Sequence, residues 1–336
     1  MIDELLTIEM FQALAPAFDA VVSVFAKFFT RFHWAYLLPT LAMVAAVWLY
    51  QRRELSGPER DNVLSFLFPK RVWLHRSALL DYRFVLFDKI VLGLLIAAGG
   101  LLLASGEGKA IVDAGNAALG NDDGLDWGVI AAYTVALLLV EDLLRYWSHR
   151  LMHTIPVLWH FHKVHHSPEV LIPFSQMRQH PVNGLISVMR SVLAIGLVTG
   201  AFMLVFPGEL TVLSILGVNV GRFVFNAMGA HLRHSHIWLS FGPGLSRILV
   251  SPAMHQIHHS KLERHIDRNF GSQFALWDWM FGTIYVPRQR ENLVLGIDEG
   301  DTARMQSVVS LYVEPFKDAW SELKKARRPA ASGGSG

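Results

Sequence analysis

The 336 residues are 52% hydrophobic and only 17% charged, with 21 Phe and 10 Trp, a balance that points to a membrane protein and excludes disordered or collagen-like chains. With no Cys there is no disulfide framework, no thiolate-held cluster or haem and no cysteine nucleophile, and a net charge of +2 from dispersed basic residues excludes a nucleic-acid partner. Histidine remains as the carrier of chemistry, and 14 of the 16 fall between His149 and His265.

In chain order, Phe11 to Phe29 repeats apolar residues at helical spacing but carries Asp19 and Lys27, which predicts an amphipathic helix lying in the membrane interface. The stretch before it holds Asp3, Glu4 and Glu9 without an early Lys or Arg, so it lacks the positive start of a secretory signal. Trp34 to Tyr50 is uncharged, bracketed by aromatic residues and long enough to span a bilayer. A second uncharged run, Ile90 to Gly106, is expected inside a helix starting near Phe84. Arg52, Arg53, Arg60, Lys70, Arg71, Arg76 and Arg83 lie between these runs, whereas the loop after the second is acidic, so the positive-inside rule puts 51 to 83 in the cytoplasm.

A third span starts near Trp127, and Leu185 to Phe206 and Leu210 to Ala230 form an antiparallel hairpin joined by Pro207, Gly208 and Glu209. Counting crossings brings His149 and His231 out on the same, cytoplasmic, face. Arg233 to Arg328 is more polar and reads as a cytoplasmic cap ending in a helix around Leu311 to Lys325. The expected fold is therefore all-α: a polytopic membrane helical bundle of four or five spans plus an N-terminal interfacial helix, with a cytoplasmic helical cap carrying a di-metal histidine site. Its expected organisation is 1–125 for the interfacial helix and first two spans, 126–290 for the catalytic region and 291–330 for the C-terminal tail helix. Residues 331–336, Ala-Ser-Gly-Gly-Ser-Gly, read as an artificial linker.

His149 and His153 stand four apart, which stacks two imidazoles on one helix face. Asp142, seven residues earlier, falls near the same stripe with Tyr146 between; it either orients a ligand imidazole or pairs with Arg145. His162, His165 and His166 form H-x-x-H-H, and His255, His258 and His259 repeat it. At this His frequency one such triplet arises by chance roughly 0.04 times, so two are a strong signal. Offsets of three and four place each triplet on one helical side. Between them, His231 and His234 are three apart and are favoured as ligands over His236. Ten imidazoles exceed what one metal can use and suit two ions with open positions, of iron, zinc or copper. Arg150 follows His149 where a zinc protease needs Glu, which disfavours peptide hydrolysis. A site under a bilayer favours a lipid substrate.

These boxes, with Leu232-Arg-His234-Ser235, Arg178-Gln-His180-Pro181, Asn269-Phe-Gly271 and Trp277-Asp-Trp-Met-Phe-Gly-Thr283, resemble the fatty acid hydroxylase/sterol desaturase superfamily over roughly 126 to 290. The resemblance implies an integral-membrane, non-haem di-iron oxygenase that uses O2 and two external electrons to hydroxylate or desaturate a lipid. It carries over His149, His153, His162, His165, His166, His231, His234, His255, His258 and His259 as metal ligands to two Fe ions, with zinc as an alternative occupant of purified protein. His231 departs from the spacing of some members. Asp142, Tyr146, His180, Asn269 and Asp278 are candidates for tuning the site, each with a structural alternative such as helix capping, and His265 is either a neighbour of the site or an exposed cap residue.

Electrons are expected from a separate donor protein docking on the basic cytoplasmic face, where anionic lipid is an alternative partner. Two rival classes remain: a zinc-dependent membrane lipid hydrolase, and a non-catalytic metal transporter or sensor, which would need ionisable residues inside the spans.

Overall fold

Proline sets the helix boundaries around the histidine boxes. A proline at the first helical position needs no N–H partner, and it forces the residue before it out of the helical region. Residue 155 is accordingly extended (φ −94°, ψ 113°), one helix ends at Thr154, and the next begins at Pro156. The helices after His180 and Ser251 start on Pro181 and Pro252 in the same way, each with its preceding side chain accepting a backbone N–H.

The computed structural model describes Val22, 34–103, 126–207, Leu210, Phe225 and 229–327. Its main helices are α1 (Trp34–Gln51), α2 (Arg76–Leu103), α3 (Trp127–Thr154), α4 (Pro156–His166), α5 (Pro181–Val205), α6 (Pro252–His258), α7 (Leu276–Met280), α8 (Glu299–Arg304) and α9 (Val308–Arg327), with single helical turns between some of them. Among the described residues no strand forms, only isolated bridges from Leu249 to Phe274 and from Ser260 to Leu295. The expected interfacial helix at 11–29 lies outside the described residues apart from Val22, and the second arm of the hairpin apart from Leu210, Phe225 and its last two positions.

Among the described residues two helices, α3 and α5, are long and apolar enough to cross a membrane; Leu37–Gln51 within α1 is a shorter apolar helix. Both are joined through Tyr133, Leu137, Ala194 and Val198, with the Tyr133 hydroxyl 3.0 Å from that of Thr199. Only 11% of the most apolar stretch of α5 is buried, and Leu185, Val188, Met189, Val192 and Leu193 are all exposed. A core helix of a soluble protein would hide that face; here it suits lipid.

The start of α2 differs from expectation, because the helix begins eight residues before Phe84. Leu80 and Phe84 pack on Val164, Met305 and Leu311, and this interior contact makes the extra turns worth forming. Further along α2, Asp81 accepts from Arg178 Nε at 2.5 Å and from Ser175 at 2.6 Å, while Arg178 also donates to the Ser77 carbonyl and the Ser167 hydroxyl. This buried pair ties α2 to the segment leaving α4. The C-terminal helix α9 is longer than expected at both ends and lies along α4 and α2.

Candidate metal centre

Successive residues of an α-helix are turned by about 100°, so a residue four on lies near +40° and one three on near −60°. The H-x-x-H-H triplet thus fans out rather than sharing one side, which corrects the single-face expectation. From α4, His162 and His166 enter one group with His149, His153 and His258, while His165 enters another with His234, His255 and His259. The α6 triplet divides in the opposite sense, its fourth-position pair His255 and His259 going to the second group. Within each group the candidate ligand atoms lie within 4.8 Å of one another, and each group can hold a metal ion. They adjoin: the rings of His166 and His259 stack at 4.5 Å between centroids.

The donor set fits cations. In the four-histidine group, Nε2 atoms face each other at 3.3 Å (His165 and His234), 3.3 Å (His234 and His255) and 3.2 Å (His255 and His259). A neutral imidazole has one N–H, so these facing nitrogens cannot all be satisfied by one another. A shared ion about 2.0–2.1 Å from each would satisfy them all. In the five-histidine group, the Nε2 atoms of His149, His153, His162, His166 and His258 are buried without a hydrogen-bond partner. Burial holds the rings in their neutral, metal-binding form: it pushes His165 down to about 3, and His162, His166, His234, His255, His258 and His259 well below 6.5.

The opposite nitrogens are held by a loop after α6. His149 Nδ1 donates to the Phe270 carbonyl at 2.8 Å and His258 Nδ1 to the Arg268 carbonyl at 2.8 Å, which leaves both Nε2 lone pairs facing the group. The alternation of carbonyls comes from Asp267 (φ 56°) and Asn269 (φ 59°), residue types that tolerate the left-handed region. Asn269 fastens this turn by donating to the Met254 and Tyr285 carbonyls and accepting from Tyr285 N. Asp278 accepts from Phe270 N, Gly271 N and the Thr283 hydroxyl, and burial, opposed by those bonds, pushes its carboxyl up to about 6. A Cβ on Gly271 would stand 2.6 Å from Asp278 Oδ2 and 2.7 Å from the Phe274 carbonyl, so only glycine fits there.

Asp142 accepts from Gln273 N, Phe274 N and Trp277 Nε1, and Tyr146 meets Thr283 at 3.0 Å. Asp142, Tyr146, Asn269 and Asp278 therefore converge on one loop and reach the imidazoles through its backbone. His180 is not brought to either group. Its Nδ1 accepts from Val182 N at the start of α5 and its Nε2 donates to the Tyr312 carbonyl. His231 also stands outside both groups: it sits on the 3-10 turn Ala230–Leu232, which ends before His234, so the helical shared-face spacing does not apply. His265 is buried against Glu291 at 3.0 Å, and His236 donates to the Phe66 carbonyl. Sequence reasoning missed the two carbonyls, which no side-chain pattern can signal. It also missed Asn183, whose amide lies 3.3 Å from His162 Nδ1 and which stands two residues after the Arg178-Gln-His-Pro motif.

The fatty acid hydroxylase family model matches residues 134–283. Over 190 residues the chain is 30% identical to the alkylglycerol monooxygenase of Danio rerio, covering 56% of this chain and 38% of that protein. Over 167 residues it is 29% identical to an ornithine lipid hydroxylase of Rhizobium tropici, covering 49% and 46%. Over 171 residues it is 29% identical to a putative Delta(7)-sterol-C5(6)-desaturase of Arabidopsis thaliana, covering 49% and 52%. The chain thus spans about half or less of these curated relatives. No solved structure matches it. The matched stretch runs from within α3 to Thr283, contains both imidazole groups and the loop that holds them, and is the part of the chain that is similar to the fatty acid hydroxylase family.

Proposed function

We propose that the protein is a membrane-bound, non-haem di-iron oxygenase that hydroxylates or desaturates a lipid with O2 and external electrons. The observation that carries this reading is the pair of adjoining all-imidazole groups beside two helices with lipid-suited faces. His149, His153, His162, His166 and His258 would hold one iron, and His165, His234, His255 and His259 the other. Bound iron would supply the activation of dioxygen and the oxidation of an unactivated carbon–hydrogen bond.

The chain supplies the rest. The Phe270 and Arg268 carbonyls keep protons on Nδ1 of His149 and His258, so these rings stay aimed and neutral. Burial of the four-histidine group and of His162, His166 and His258, with His149 and His153 half-buried, limits the access of bulk water to the site. Lipid would approach along α3 and α5. We further place the site on the cytoplasmic side of a bundle of four or five spans, with 229–327 as its cap. The donor protein would dock on the basic stretch between Arg52 and Arg83.

Expression of the wild type and His255→Ala in the same host, followed by lipid mass comparison, tests the reading. A product gaining one oxygen or losing two hydrogens only with the wild type, together with iron-dependent O2 uptake by purified protein supplied with a reductant, is expected. Zinc-loaded protein that releases a lipid fragment without consuming O2 would replace the oxygenase by a hydrolase.

A further inference from the structure

Arg233 lies between His231 and the metal-group residue His234 and is 8% exposed. Its guanidinium stands over the Phe225 ring at 4.7 Å, and neither Nε nor Nη2 has a hydrogen-bond partner although both are buried. These two atoms form one edge of the guanidinium plane, with parallel N–H bonds that match the two oxygens of a carboxylate or phosphate. A buried charged donor left unmatched is costly, and here two are left on the same edge.

The nearby carboxylate does not fill the edge. Asp142 is close enough to act on Arg233 by charge, but its oxygens accept from Gln273 N, Phe274 N and Trp277 Nε1. Arg145, also within charge range, adds a second cation whose Nε is buried without a partner. Arg233 likewise acts by charge on His234 and His255, so the open edge belongs to the surroundings of the four-histidine group.

We infer that Arg233 is the receptor of an oxyanion site beside the four-histidine group, taking a carboxylate or phosphate group side-on, with two oxygens against its Nε and Nη2 edge. Two sources share this chemistry: the acidic group of a lipid substrate, and a small free anion. The first source rests on the lipid reading above; the site itself does not.

The test is binding of radiolabelled palmitate to the purified full chain in neutral detergent, competed by palmitate or methyl palmitate, with radiolabelled inorganic phosphate in a parallel arm. The acid should compete at least about tenfold better than the ester, as a charge-assisted bidentate contact requires. Arg233→Gln should abolish the difference while metal content stays at the wild-type level, and Arg233→Lys, which keeps charge but loses the planar edge, should restore only part of it. Phosphate binding that Arg233→Gln removes, with acid and ester equal, assigns the site to a free anion. Equal acid and ester without phosphate binding, or an acid preference that survives Arg233→Gln, overturns the proposal. If Arg233→Gln does not fold, the wild-type acid, ester and phosphate arms decide it. An acid preference in protein that, loaded with iron and given a reductant and the lipid, consumes no O2 would sink the oxygenase reading and leave this site standing.

Discussion

At the scale of single residues, the metal groups depend on side chains that never touch them. Gly271 leaves room for Asp278 Oδ2, and Asp278 in turn holds Phe270, whose carbonyl fixes His149. Gly271→Ala should therefore destabilise the protein by about 1–3 kcal/mol through overpacking. Metal retention should fall with it, which thermal melting and metal analysis by mass spectrometry would read. An unchanged metal content and melting temperature would show that the loop does not govern the site. The pH response follows from burial. His165, with burial first and the nearby His149 charge second, is held at about 3 against its ordinary 6.5. A depressed folded value means that the unfolded chain binds the proton first, so this stability is present above 6.5 and is lost as pH falls toward about 3. Metal-free protein should melt at a lower temperature at about pH 5.5 than at about pH 7.5, and scanning calorimetry in detergent would detect the drop.

At the scale of elements, α4 is the member on which most else converges. It delivers histidines to both metal groups, and its Lys163, between two of them, is 2% exposed. Lys163 Nζ donates to Asp301 at 2.5 Å and to Asp318 at 2.8 Å, and Arg304 pairs with the same two carboxylates. This network clamps α8 and α9 onto the box helix. Lys163→Met would leave two partly buried carboxylates with Arg304 as their remaining shared cation, at a cost of about 1–3 kcal/mol. Faster hydrogen exchange across 308–327 than in the wild type is the expected readout. Exchange that does not change would mean that the apolar contacts of Leu311 with Val164 and Phe84 suffice.

At the scale of the whole molecule, the proposed orientation places Asp113 and Glu299 on opposite sides of the membrane. The chain has no cysteine, so single substitutions report without a background. In intact cells, a membrane-impermeant maleimide should label Asp113→Cys, whereas Glu299→Cys, at an exposed position on α8, should react only after permeabilisation. Labelling of both from the same side would refute the cytoplasmic site and the crossing count behind it.

The chemical identity of the site was legible in the sequence because histidine spacing is a local property: three- and four-residue offsets within α4 and across the end of α6 survive whatever the chain does elsewhere. Apolar length made α3 and α5 legible for the same reason. What no local pattern could supply was the partition of imidazoles. His165 and His166 are neighbours in sequence yet serve different groups, a division fixed only when α3, α4, α6 and the segment carrying His234 pack together. Nor could it supply the carbonyls of Arg268 and Phe270, since every residue carries one and only the left-handed turns at Asp267 and Asn269 aim these two. Composition and spacing determined that this chain gathers histidines beside a membrane. Tertiary structure decided which nitrogen faces which group, because ring orientation depends on contacts between segments more than a hundred residues apart.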